Sequence, residues 1–184
     1  MKKLLVVVDM QVDFISGALG TKEAEAIVPA VIEKIAAFDG DVVYTRDTHG
    51  ENYLATAEGK KLPVVHCVKG TAGWEIDPAV LAAGEGKTAA IIDKPTFGSE
   101  ELCDFAEQGG YEAIELVGLC TDICVISNAL CLKARLWETP ISVWRECCAG
   151  VTPASHVITF IILVLMVYDT NVIHFFLQNK FFTK

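Results

Sequence analysis

Five short apolar runs, at positions 4–8, 42–44, 89–92, 113–117 and 141–143, recur along this chain. Between the runs, apolar residues return every three or four positions. An apolar run of strand length without polar alternation belongs to a strand buried on both faces, and such strands are found in parallel sheets covered by helices. One helical stripe is Ile27, Val31, Ile35 and Phe38, with Pro29 in its first turn and Gly40 just past its end. A second is Val125, Ala129, Leu132 and Leu136, with Lys133 and Arg135 where cations suit the helix dipole. The alternation predicts right-handed βαβ units and an α/β fold: a three-layer α/β/α domain with a mainly parallel sheet.

A chain of 184 residues can bury one good core. Its formal charge of -9 lacks the basic footprint of a nucleic-acid binder, so a small-molecule partner is expected. The opening "MKKLLVVV" is of strand length and is followed at once by acidic residues, which reads as a first buried strand rather than a signal peptide. Seven cysteines without framework spacing suggest reduced thiols and a cytoplasmic protein, most of the thiols being inert core residues.

Ligands of open parallel sheets bind beyond the C-terminal ends of the strands. Asp9, Asp47 with His49, Lys94 and the segment "GLCTDICV" all follow strands, so their side chains gather at one edge. Cys124 falls near a helix N-terminus, where a thiolate is favoured, and Lys94 would favour it further. Asp9 in a poorly solvated pocket could take the thiol proton and return it to a leaving amine. A lone cysteine is usually a small buried hydrophobe; the matching positions of Asp9 and Lys94 favour the nucleophile. The backbone N–H groups of Cys120 and Cys124 could face an oxyanion.

The long irregular segment 47–88 carries a second candidate. Asp47 and His49 point to one side of an extended chain, and His66 could complete an oxygen-nitrogen metal site with open positions. Asp-x-His alone is a weak signal. Glu58 is a further candidate ligand, although a charged loop face explains it equally well.

The blocks "VVVDMQVDF", "YTRDTHGENYL", "LPVVHCVKGTAGWEI", "DKPTFGSEEL" and "LVGLCTDICVISNAL" occur in that order. They resemble the isochorismatase-like cysteine hydrolases, most closely the nicotinamidase branch, over most of the chain. The resemblance implies the isochorismatase-like hydrolase fold, a catalytic triad of Asp9, Lys94 and Cys124, and one divalent metal, zinc before manganese, iron or magnesium. Asp47, His49 and His66 would hold the metal, with Glu58 supplementary. It also implies a cis peptide at Leu119–Cys120, Phe14 at the ring pocket with Trp74 as a second candidate, and assembly into dimers or larger oligomers. The implied reaction is hydrolysis of nicotinamide to nicotinic acid and ammonia, a step of NAD salvage and pyridine nucleotide biosynthesis. Its alternatives are another amide or carbamoyl hydrolase, or a homologue impaired by its C-terminus.

That C-terminus departs from the family pattern. Residues 1–156 are expected to form the hydrolase domain. Residues 157–184, "VITFIILVLMVYDTNVIHFFLQNKFFTK", form an atypical hydrophobic segment in place of the last helix and strand. The run at 157–168 is too short to span a bilayer and is expected to be a buried helix instead. Trp144, Arg145 and Glu146 are bulky or charged where a strand end should be small or acidic, and are expected to disturb the neighbouring wall of the site.

Overall fold

The computed structural model describes residues 1–166. Its sheet has five strands: β1 (Lys3–Val8), β2 (Asp41–Asp47), β3 (Thr88–Lys94), β4 (Ala113–Leu119) and β5 (Ile141–Ala149). All pair in parallel, in the order β3-β2-β1-β4-β5. The helices are α1 (Val12–Ile15), α2 (Lys22–Ala37), α3 (Pro78–Ala83), α4 (Glu100–Gly109), α5 (Ile126–Arg135) and α6 (Pro153–Met166). The chain builds outward from β1 to β3, then returns to the other side of β1 for β4 and β5. That reversal is the switch point at which open α/β sheets open a ligand crevice.

The two faces of the sheet carry separate cores because successive strand residues point to opposite sides. Leu4, Val6 and Val8 pack with α4, α5 and α6, whereas Leu5 and Val7 pack with α2 and α3. β1 is apolar on both faces, as its unbroken run predicted, and β4 is so except at Glu115, which pairs with Lys34. β3 differs: it is an edge strand whose Ile91 is 41% exposed, so its run is not buried on both sides.

Several local expectations are corrected. The Thr21 hydroxyl accepts from Ala24 N and caps α2, so the helix starts earlier than its apolar stripe and Pro29 lies in its interior. Between Leu116–Val143 and Gly118–Cys148 the β4–β5 register slips. The slip loops out Trp144, Arg145 and Glu146. Trp144 is then held by Glu115 through its indole N–H at 2.6 Å and by Lys34, whose Nζ lies 3.6 Å from the ring centroid.

The predicted buried helix at 157–168 is half right. α6 begins at Pro153 and runs unbroken past position 157, seating Thr159, Phe160 and Leu163 in the core. Val157, Ile158, Ile161, Ile162 and Leu165 remain exposed, because a helix with apolar residues all round can turn only one side to a sheet. Residues 167–184 of the atypical segment lie outside the described residues. Among the described residues, no helix is long and apolar enough to cross a membrane.

Candidate active site

β1 ends where Asp9 takes a left-handed φ of 48°, which turns its side chain into the sheet's C-terminal edge. The carboxylate is fully buried. Thr45, on the adjacent strand, donates to its Oδ1 at 2.6 Å, and Lys94 Nζ lies 2.7 Å from its Oδ2. Lys94 Nζ also donates to Thr96 O at 3.2 Å and to Cys124 Sγ at 3.5 Å. Lys94 therefore pairs with Asp9 and reaches Cys124 at once, and the Cys124 thiol is itself in hydrogen-bonding reach of Asp9.

Cys124 arrives from the other side of β1. Gly118 makes the approach possible: at φ 117°, a Cβ there would stand 2.1 Å from Val8 O. The Leu119–Cys120 peptide is cis, and residues Thr121–Val125 form one wide π turn before α5. Asn128, one turn on and fully buried, donates to Cys124 O at 2.8 Å and to Phe97 O at 3.0 Å. Asp9, Lys94 and Cys124, far apart in sequence, thus share one buried cluster.

Electrostatics correct one expectation. Burial pushes the Cys124 thiol well above its ordinary value, the Asp9 charge adds to the effect, and Lys94 opposes it only in part. Burial and Asp9 thus favour the thiol, against the thiolate that a helix N-terminus would suggest. Burial also raises Asp9 against the pull of Lys94, which makes it a stronger base. The Lys94 ammonium loses hydration on burial, but the negative charges of Asp9 and then Asp47 more than compensate and hold it protonated.

Beside this cluster, Asp47, His49, Glu58 and His66 each present a ligand atom, all within 4.8 Å of one another. Asp47 ends β2. His49 follows it into a parallel bridge with Val68, with His49 N donating to Cys67 O, and this pairing carries His66 into range. His49 Nε2 lies 2.9 Å from Asp47 Oδ2, close enough for the two atoms to face one ion. Asp47 Oδ1 is buried without a hydrogen bond, 3.6 Å from Lys94 Nζ. His66 Nδ1 lies 2.7 Å from Val64 O, which directs its Nε2 to the cluster. Burial would raise Asp47, but the two imidazoles and Lys94 outweigh it and hold the carboxyl well below the usual range. An anionic oxygen, two imidazole nitrogens and a half-buried Glu58 fit a borderline divalent cation.

Residues that the motifs contain but the sequence reading gave no role complete the scaffold. Tyr53 is fully buried between the two imidazoles, with ring centroids 4.6 Å from His49 and 4.9 Å from His66. Asp13 Oδ2 accepts from Cys67 N at 2.7 Å, fixing the backbone next to His66. The signal for Asp13 was its place in "DMQVDF"; for Thr45 and Tyr53 no signal distinguished them from core residues.

A cavity of about 540 Å³ opens onto both clusters. Phe14, Leu19, Leu62, Phe97 and Ile123 form apolar walls, with Cys124 on one side and Asp47, Glu58 and His66 on another. Phe14 lines this cavity, with its ring centroid 5.5 Å from that of His66. Trp74 does not line the cavity: its indole N–H donates to Thr48 Oγ1 and its ring lies under the Arg46 guanidinium at 3.6 Å. Trp144, Arg145 and Glu146 do not line it either; at that end the wall is Gly150 and Val151.

A parallel α/β sheet that carries an acid, an ammonium and a thiol at one buried edge, open to a small apolar cavity, has the form of a small-molecule hydrolase. Residues 3–169 match the Isochorismatase domain, and the chain belongs to that family. It is 28% identical over 155 residues to the nicotinamidase of Acinetobacter baylyi, covering 68% of this chain and 72% of that protein. Its fold matches a Bacillus subtilis nicotinamidase/pyrazinamidase with a TM-score of 0.77 at 24% identity, over 89% of this chain and 94% of the other. It also matches the zinc complex of a Pyrococcus horikoshii pyrazinamidase with a TM-score of 0.75 at 27% identity, over 90% and 96%. The chain is a hydrolase of amide carbon–nitrogen bonds.

Proposed function

We propose that this hydrolase converts nicotinamide to nicotinic acid and ammonia through a thioester on Cys124. The observation that carries the proposal is the buried cluster in which Lys94 reaches both Asp9 and Cys124. The substrate ring would lie against Phe14, with its carboxamide carbon at Cys124. Asp9 takes the thiol proton as sulfur bonds to that carbon, and the backbone N–H groups of Cys120 and Cys124 receive the developing oxyanion. Asp9 then protonates the departing nitrogen as the carbon–nitrogen bond breaks. Water, deprotonated by Asp9, attacks the thioester and releases nicotinic acid and the thiol.

Asp47, His49 and His66, with Glu58 supplementary, would hold one divalent metal, for which zinc is our first assignment. When bound, the metal supplies a Lewis-acidic anchor for a ring nitrogen, which is orientation more than acid catalysis. Phe14 and Leu62 exclude water from the ring face, and Lys94 neutralises the carboxylate that would otherwise repel a sulfur anion. We place the activity in the cytoplasm, in the salvage of NAD, with a small amide as the substrate.

Ammonia release from nicotinamide tests the reading. Turnover should disappear in Cys124→Ala, fall on chelation and be slower for benzamide, which lacks the ring nitrogen. Equal rates for nicotinamide and benzamide would remove the pyridine preference. A folded, metal-loaded protein that releases no ammonia from either would refute the substrate assignment.

A further inference from the structure

Gln11 is fully buried beside the metal-site residues, and its carboxamide is saturated. Its Oε1 accepts from Asp47 N at 2.7 Å, and its Nε2 donates to Asp47 O at 2.9 Å and to Trp74 O at 2.8 Å. Both amide donors are used. The β1–β2 ladder pairs Val8 with Thr45 as its last step, and at Asp9 the backbone of β1 turns away. Asp47 lies two residues beyond that last pair. On its other side the strand is still held, since Asp47 pairs with Lys94 of β3. The Gln11 side chain therefore takes the place of the missing strand and grips Asp47 at both backbone polar groups.

The third hydrogen bond reaches a different part of the site. Trp74 ends the segment that descends from His66, and it is pinned between Arg46 and Thr48, the two neighbours of Asp47. Gln11 thus joins the two backbone segments that bring Asp47, His49 and His66 together. It lies outside the proposed chemistry, because it touches neither the thiol nor the ligand atoms.

We infer that Gln11 is a positioning residue whose carboxamide sets the metal affinity of the Asp47–His49–His66 site. The inference rests on the metal reading given above. Loss of the carboxamide frees the Asp47 backbone and lets its ligand oxygen move relative to the imidazoles. Partners one shell out from a metal change its affinity by roughly 10–100-fold.

The test is Zn²⁺ and Mn²⁺ affinity measured by competition with a chromophoric chelator, with no substrate present. The proteins are the parent, Gln11→Met, Gln11→Asn and Tyr44→Phe. Methionine keeps the shape without the hydrogen bonds. Asparagine is one methylene short of spanning Asp47 and Trp74, and decides the question if Gln11→Met does not fold. Tyr44→Phe deletes a buried hydrogen bond to Val80 O, away from the metal cluster, and controls for plain destabilisation. The expected result is metal binding weakened roughly 10–100-fold in the Gln11 variants and unchanged in Tyr44→Phe. Alkylation of Cys124 in metal-free protein should proceed at the parental rate in all of them. Gln11 variants that lose thermal stability as Tyr44→Phe does, yet bind metal within twofold of the parent, would overturn the inference alone. A parent that binds neither metal would overturn the metal reading together with it.

Discussion

The Nζ of Lys94 lies 2.7 Å from Oδ2 of Asp9, and both side chains are sealed from solvent. Asp47 Oδ1 stands 3.6 Å from the same ammonium, so one cation faces the base, the thiol and a candidate metal ligand. Removing it strands carboxylates in a dry site, and breaking a buried pair of this kind costs about 3–5 kcal/mol. Lys94→Met should lower unfolding free energy by that amount and abolish turnover. Adding Asp9→Asn should recover part of the stability and none of the activity. Denaturant titration of the three proteins reads the effect, and a Lys94→Met loss under about 1 kcal/mol would mean that solvent reaches the pair.

Cys124 should alkylate in a way that reports its raised pKa. Only the thiolate reacts, and burial together with Asp9 keeps the group protonated, so the iodoacetamide rate should climb steadily from pH 7 to pH 9. A plateau within that range would mark a lowered pKa and contradict the burial argument. Peptide mass spectrometry separates Cys124 from the exposed Cys131.

Metal occupancy should appear as stability. A ligand at about 100 times its dissociation constant adds about 2.7 kcal/mol, or roughly 5–10 °C in Tm for a chain of this size. Zn²⁺ should produce that rise in chelator-treated protein and produce none in His66→Ala. An equal rise in both proteins would place the binding site elsewhere.

α6 separates buried from exposed apolar residues within one helix. Phe160→Ala should cost about 3–5 kcal/mol, since the ring is 2% exposed in the core under β4 and β5. Leu165→Lys, at 72% exposure, should change stability by less than about 0.5 kcal/mol and reduce self-association. Chemical denaturation and light scattering check the two arms.

The sequence by itself determined the layers. Unbroken β-branched runs cannot face water, so their alternation with helical stripes dictated a covered parallel sheet, and the strand-end rule placed Asp9, Asp47, Lys94 and Cys124 on one edge. Periodicity could not distinguish the interior strands from β3, because edge position depends on strand order, which is a long-range property. Local rules also pointed the wrong way at Cys124. A helix N-terminus favours a thiolate, but the desolvation that raises the thiol comes from residues remote in sequence that close over it. Only the tertiary structure decided the supports of the site: Thr45 on Asp9, Tyr53 between His49 and His66, and Gln11 across Asp47 and Trp74. The role of Gln11 arises where β1 turns away from β2 and leaves the Asp47 backbone groups to be satisfied, a demand that exists only after the strands have paired.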